Sequence, residues 1–553
     1  VSDATTEKVG ARLLVDPGHA DSSVDSHYWS NDGEQISFQL RHMGDMAKRE
    51  IHYYVDGELQ IDTVSRAFPG EPNLRFDVGV VEVASAKSRL LQRQDDIFPI
   101  WNYGLSSDGR HLFVNESDPY VKLHRIELFE VASGKRETFY QEHDPRHLRP
   151  DWRAAWAPGD EGLIILTDRD GYLHLYHQKT AGGNAERLTT GTWEISDFAV
   201  AADAGAIYFR ANKAHLAERQ LYRLSLDDRR VTRVSDNIPG THHVTYAPDM
   251  RRAASVFSND STPPDLYVID FSDNSSRRVT VSPTAAFNQQ DWADVRYIEF
   301  NSHVDGTPLI GRLSIPPKFN PLKRYPLIVG SVYSDSVRNQ WGGRTAHPTW
   351  GLDQHLVAAG YLLLNVNVRG SWGQGREHNQ GLLHGYGNVD IDDLHSGVLH
   401  LVKQGHVDSQ RVGIWGSSYG GLMTMMSLFN KPEVYAAGIA GAPATNVAHA
   451  YPEQMWVMGP AAGDDMPARY EKQSPLYHTA GLEDPLMIIH GTRDEVVLYS
   501  DTIAVVNRLI AAEQPFELVT LPGVGHGWDA EMNDVRRFSF EKMVEFFNRH
   551  LNP

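Results

Sequence analysis

The chain has 553 residues, 41% of them hydrophobic and 22% charged, a formal net charge of −19 and no cysteine. That length allows two or more domains with cores of their own, and the composition is that of a soluble globular protein. The negative charge, unrelieved by any basic stripe, excludes nucleic acid as an expected partner, and the missing cysteines exclude disulfides, iron–sulfur ligation and thiol nucleophiles.

No apolar run approaches the roughly 18 residues needed to span a bilayer, so no membrane span is expected. The chain opens on Val1 and has neither a basic nor an apolar leader, which points to processing or truncation ahead of it. The compartment stays open, with a periplasmic or secreted location placed ahead of a cytoplasmic one.

Residues 1–23 read as an N-terminal segment, the remnant of an earlier blade. From residue 24 to 285 a pattern recurs at intervals of roughly 40 residues: an aromatic residue, a small or charged turn, then two β-rich runs. Tyr28-Trp29-Ser30-Asn31-Asp32-Gly33 leads to Ile36-Ser37-Phe38, and Leu105-Ser106-Ser107-Asp108-Gly109 leads to His111 through Val114. Trp156-Ala157-Pro158-Gly159-Asp160 and Tyr246-Ala247-Pro248-Asp249 open later units. Four short strands per period predict a β-propeller with about five blades, whereas a β-sandwich does not account for the recurring order. His143 and His147 have the spacing of helical metal ligands, but Pro145 between them removes the helix, so no metal is expected there.

Residues 286–553 change pattern. A hairpin around Val304-Asp305-Gly306-Thr307-Pro308 is followed by apolar strands alternating with helices, which predicts a mainly parallel, doubly wound sheet of the α/β-hydrolase plan. Val412 through Trp415 runs into Gly416-Ser417-Ser418-Tyr419-Gly420 and then a helix-compatible run, the strand, tight turn and helix of a nucleophile elbow. The Gly-x-Ser-x-Gly string alone arises by chance roughly once in four chains of this length, so its flanks carry the assignment. Ser418 is the candidate nucleophile, with glycines two residues to either side because side chains there would collide with the backbone.

Catalytic groups on such a sheet follow the carboxyl ends of strands, in the chain order Ser, Asp, His. Asp494 follows the run Leu486 to His490, and His526 follows Leu518 to Leu521. Asp484 precedes its strand, Asp501 begins a helix, and His490 lies within a strand, so all three are set aside. His526 would take the proton of Ser418 while Asp494 fixes its tautomer.

These motifs resemble the prolyl oligopeptidase family of serine peptidases, closest to its dipeptidyl peptidase IV branch. The resemblance is carried by Val368-Arg369-Gly370-Ser371, Asp392-Asp393, Trp415 through Gly421, Ala442-Pro443, His490 through Asp494 and Gly525-His526-Gly527. In the first half it is carried by Arg169 to Tyr176, Thr190 to Ile195 and Arg219 to Leu224. It implies that Tyr333 and the backbone N–H of Tyr419 form the oxyanion hole. The tyrosines of that branch's proline pocket are matched only in part, leaving Tyr451, Trp456 and Val497 as pocket candidates. The branch anchors the substrate amine with adjacent glutamates, and Val1 to Ser26 offers none; Val496 also replaces its asparagine.

The expected function is therefore a serine peptidase acting on short peptides, a dipeptidyl aminopeptidase cleaving after Pro or Ala. An acylaminoacyl peptidase, a post-proline oligopeptidase or an esterase on the same scaffold is the alternative, followed by a non-catalytic binding protein. No cofactor is expected, and assembly as a homodimer is left open.

Overall fold

The computed structural model of the protein describes residues 14–18, 20–201, 205–236, 238–330, 332–334, 337–343, 351–530 and 533–552. These form two compact units, one of Val1–Lys48, Ser65–Arg210 and Tyr222–Thr232, the other of Arg49–Val64, Ala211–Leu221 and Arg233–Pro553. Most of residues 1–23 lies outside the described positions.

Five four-stranded sheets follow one another along the first half, the propeller predicted from the repeat. The first is built from Ser22–Trp29, Gln35–His42, Arg75–Glu82 and Ser88–Leu91, the second from Ile100–Leu105, His111–Ser117, Leu123–Glu130 and Arg136–His143. The repeated turn has a shared chemistry. In the first sheet the Ser30 hydroxyl donates to Asp32 at 2.6 Å while Asp32 accepts from the Glu34 N–H and Ser30 Oγ from the Gln35 N–H, both at 2.9 Å. Ser106, Asp108, Arg110 and His111 repeat that network in the second sheet. Gly33 and Gly109 close these turns with φ of 74° and 67°, conformations an L side chain resists.

The first three sheets pack face to face. Val78, Val80 and Leu91 of the first bury Tyr103, Leu112, Val114 and Phe129 of the second, whose other face meets Ala154, Leu163 and Ile165 of the third. Between the first two, the fully buried Glu116 accepts from Arg93 and Arg125 together, so its charge is compensated inside the core. His147, set aside as a metal ligand, stacks on Trp152 with centroids 4.3 Å apart, its Nε2 3.3 Å from Asp168.

One element lay outside the repeat reading. Lys48–Val55 and Glu58–Ser65 pair as a separate two-stranded hairpin, which in chain order falls between the second and third strands of the first sheet. Its Asp56-Gly57 turn has both residues left-handed, φ 53° and 82°, and this dipeptide between alternating apolar residues is the signal that could have revealed it.

The second unit holds the fifth sheet, Thr241–Tyr246 through Ser275–Arg278, together with an eight-stranded sheet. The strands of the latter are β1 Asp294–Asn301, β2 Pro308–Ile315, β3 Tyr325–Val329, β4 Leu362–Asn367, β5 Val407–Ser417, β6 Ala437–Gly441, β7 Leu486–Gly491 and β8 Glu517–Leu521. Their order is β1-β2-β4-β3-β5-β6-β7-β8, antiparallel through β1, β2 and β4 and parallel thereafter. Among its helices are α1 Leu352–Ala358, α2 Val389–Lys403, α3 Tyr419–Asn430, α4 Tyr499–Ala511 and α5 Asn533–Leu551. This is the α/β-hydrolase arrangement.

Strands β3, β4, β6 and β7, and the second half of β5 from Val412 onward, are mainly apolar and buried, as a sheet covered on both faces requires. Phe547 and Leu551 of α5 come so near that a Cβ on Gly413 would lie 2.8 and 2.7 Å from them, which lets the helix seat directly on β5. Arg369 and Asp393, both in the family-like motifs, form a buried ion pair at 2.8 Å that ties the loop after β4 to α2, with Asp305 as a second carboxylate on the same guanidinium. Their role is structural.

Candidate active site

Ser418 links β5 to α3 with φ 61° and ψ −120°, a conformation a non-glycine residue holds only when its surroundings impose it. The neighbouring glycines are there for space: a Cβ on Gly416 would lie 2.7 Å from the Gly420 carbonyl carbon, and one on Gly420 would lie 2.1 Å from the Val332 oxygen. Gly420→Ala should therefore push the start of α3 off the Val332–Tyr333 segment, lowering stability by about 2 kcal/mol or more, visible as a drop in Tm, and displacing Ser418. Ser417 is buried instead, accepting at 3.1 Å from the indole N–H of the fully buried Trp528. That bond fastens the elbow to the segment just after His526.

Asp494 lies in the loop after β7 and is fully buried. Its Oδ2 meets His526 Nδ1 at 2.7 Å and His490 Nε2 at 3.1 Å, and its Oδ1 accepts from the N–H groups of Val496 and Val497, each at 2.8 Å. Burial alone would raise its pKa; the hydrogen bonds from His490 and His526 outweigh this and hold it at about 2. The carboxylate is thus ionised at neutral pH and takes all its partners as an acceptor. The two loops are stitched together as well: the Arg493 N–H donates to Val524 O at 3.0 Å, and the Gly523 N–H to Thr492 Oγ1 at 2.9 Å.

Ser418, His526, Tyr333, Tyr419, Tyr451 and Val497 all line one cavity of about 330 Å³. Asp494 stands behind its wall. Trp456, the remaining pocket candidate, is not part of that wall, whereas Gln454 and Met458 are. The reason is helical geometry: Met455–Met458 is one short turn, and residues 454 and 458 share a face from which 456 points away.

Tyr419 opens α3, so its N–H belongs to a first turn whose donors lack intrahelical partners. Its side chain is held from behind. The hydroxyl donates to Asp390, which also accepts the N–H groups of Gly387, Asn388 and Ile391, and the ring packs 4.6 Å from that of Tyr386 and 5.5 Å from that of Tyr333. Burial pushes the Asp390 carboxyl up to about 6 against those bonds.

The sequence reading did not single out Asp390, Tyr386 or the pair His449–Asp501, joined at 2.8 Å in the cavity wall. Asp390 had a signal: with Asp393 it is three apart on α2, one buried helical face. For Tyr386 and His449 no local pattern exists.

Comparison with known proteins agrees with this architecture. Residues 350–553 match the prolyl oligopeptidase family, and residues 22–264 match the dipeptidyl peptidase IV N-terminal region. The chain is 25% identical over 578 residues to dipeptidyl-aminopeptidase B of Aspergillus niger, an alignment covering 95% of this chain and 62% of that protein. It is 25% identical over 528 residues to a probable dipeptidyl-aminopeptidase B of Aspergillus oryzae, covering 87% of this chain and 57% of the relative. The chain thus spans about three fifths of the length of these curated relatives.

The fold matches dipeptidyl peptidase 4 of Porphyromonas gingivalis with a TM-score of 0.84 at 19% identity, over 95% of this chain and 74% of that one. It also matches a putative dipeptidyl aminopeptidase IV of Bacteroides ovatus with a TM-score of 0.83 at 19% identity, over 95% and 77%. The chain thus pairs a region of the prolyl oligopeptidase family, residues 350–553, with a dipeptidyl peptidase IV N-terminal region ahead of it, residues 22–264.

Proposed function

We propose that the protein hydrolyses short peptides through an acyl-enzyme on Ser418, as a dipeptidyl aminopeptidase that cleaves after Pro or Ala. The observation that carries this is one constellation: a strained serine at an elbow, sharing a cavity with a histidine whose Nδ1 is held by a buried carboxylate. With Nδ1–H donated to Asp494, neutral His526 carries its lone pair on Nε2. Ser418 Oγ attacks the scissile carbonyl and its proton passes to that nitrogen, which then returns it to the departing amine. Water repeats the sequence on the ester. The imidazolium formed meanwhile lies against the carboxylate, which is how Asp494 lowers the barrier.

Negative charge on the carbonyl oxygen would be met by the Tyr419 N–H and the Tyr333 hydroxyl. Tyr333→Phe should lower kcat by roughly 10² to 10³ while leaving KM nearly unchanged, because the hydroxyl acts only once that charge develops. Steady-state kinetics would show it; an unchanged kcat would make Tyr333 a packing residue.

The substrate class rests on the relatives named dipeptidyl-aminopeptidase and on the mainly apolar pocket of Tyr419, Ala444, Val447, Val497 and Leu498. One observation favours the alternative, an acylaminoacyl peptidase or post-proline oligopeptidase. Among the described residues of the cavity wall the only carboxylate is Asp501, and it is paired with His449 rather than set out for an ammonium group. An aminopeptidase must give that ammonium a counter-charge, so blocking the amine should abolish its activity. The test compares Gly-Pro-anilide with N-succinyl-Gly-Pro-anilide. A loss in kcat/KM of at least about 10², the worth of one broken charge pair, supports dipeptide release. Equal values would establish the alternative.

A further inference from the structure

His490, which has no part in the steps above, sits beneath the acid of the proposed triad. Its ring lies in β7 with no exposure to solvent. Nε2 is 3.1 Å from Asp494 Oδ2 and 3.1 Å from Val497 O, and both of these are acceptors. Nε2 must therefore carry a hydrogen. On the opposite side Nδ1 is 2.8 Å from the hydroxyl of Thr502, itself fully buried on α4. A hydroxyl can donate to Nδ1, so both ring nitrogens are satisfied by the neutral Nε2–H tautomer with no second buried cation beside the pair.

The ionisable groups around this ring are few. Asp494 belongs to the following loop; Tyr499 of α4 packs edge-on, 5.4 Å away, its hydroxyl 2.9 Å from that of Thr520. Asp501 of α4 is turned to His449, and Arg493 to Asp62. The groups that act on the Asp494 charge are accordingly His526 and His490.

We propose that His490 is a positioning residue for the catalytic pair, a neutral imidazole locked by Thr502 as a donor to Asp494 Oδ2, which fixes the carboxylate's rotation and tempers its pull on His526. The proposal rests on the triad reading above. Two consequences follow from a donor sharing one oxygen with His526. Removing it frees the carboxylate to turn, which lowers kcat. It also leaves more of the negative charge directed at His526, which favours the imidazolium and moves the acid limb of the pH profile upward.

The experiment measures kcat, KM and the pH dependence of kcat/KM for Gly-Pro-p-nitroanilide with the full chain. His490→Leu removes the donor; His490→Gln can place an amide N–H near the Nε2 position. For His490→Leu the expected results are a fall in kcat of about 10- to 100-fold, KM within about twofold, and an acid limb displaced upward by roughly half a unit to one unit. His490→Gln should recover most of both effects. Should His490→Leu fail to fold, Thr502→Val, nearly the same shape, must displace the limb in the same direction by less, and Thr502→Ser must restore it.

An acid limb that stays in place while activity falls at every pH would overturn the proposal, because packing alone predicts that. So would unchanged kinetics in His490→Leu, or an unmoved limb in Thr502→Val. Asp494→Asn, run in parallel, separates the two readings. If it keeps its kcat, the triad itself is wrong; if it loses kcat while the His490 variants behave as the parent enzyme, only the positioning role falls.

Discussion

Replacing Ser418 by Ala is expected to lower kcat by a factor on the order of 10⁴ to 10⁶ and to leave the fold unchanged. No second nucleophile stands in the elbow: Ser417, one residue away, is buried and committed to Trp528. The methyl group of alanine fits where the serine Cβ already sits, and the left-handed backbone there is imposed by the strand and helix around it rather than by the hydroxyl. Tm should therefore move by no more than a few degrees while turnover disappears. A variant with normal turnover would remove Ser418 from the mechanism.

The second large effect is expected from Asp494→Asn, on the order of 10⁴ in kcat. Every partner of this carboxylate is a donor: His526 Nδ1, His490 Nε2 and the N–H groups of Val496 and Val497. An amide cannot satisfy that environment. With its NH₂ at the Oδ2 position, His526 must turn Nδ1 into an acceptor, and Nε2, the atom needed to take the serine proton, then carries a hydrogen. With its NH₂ at the Oδ1 position, it opposes two backbone N–H groups. Facing two fixed backbone donors is the costlier of the two, so the first arrangement is the one expected and kcat falls with it. Asp484→Asn is the control, since Asp484 precedes β7 and lies only in a half-buried, desolvated position near Glu483. Loss of activity in Asp484→Asn with none in Asp494→Asn would transfer the acid's role.

The parts of this molecule that were legible in its sequence are those written in local rules. The propeller could be read because a turn recurs, aromatic-x-Ser-x-Asp-Gly in its fullest form, and in the first two sheets its serine and aspartate bond to the backbone two to five residues on. The parallel sheet could be read because strands buried on both faces are mainly apolar. Ser418, Asp494 and His526 could be placed because each follows a strand of such a sheet, and chain order does the rest. What escaped was set by tertiary meeting. Tyr386 and Gln454 are 68 residues apart and share one hydrogen bond at 2.7 Å, and His449 finds Asp501 52 residues later. Trp456 is a pocket candidate by resemblance, in a stretch shifted against the family's, and a single helical turn puts Gln454 and Met458 in the cavity wall instead. The hairpin Lys48–Ser65 stands outside the 40-residue period and is marked only by its own Asp56-Gly57 turn.

The most direct test of the account is where a covalent probe lands. The protein is treated with a fluorophosphonate, digested, and the modified peptide mapped by mass spectrometry, with Ser418→Ala and His526→Ala as companions. The account predicts one equivalent of label on the peptide containing Ser418, none with Ser418→Ala, and labelling slowed by orders of magnitude with His526→Ala, since the serine then lacks its base. Stoichiometric label on any other residue, or undiminished labelling of the Ser418→Ala protein, would contradict it.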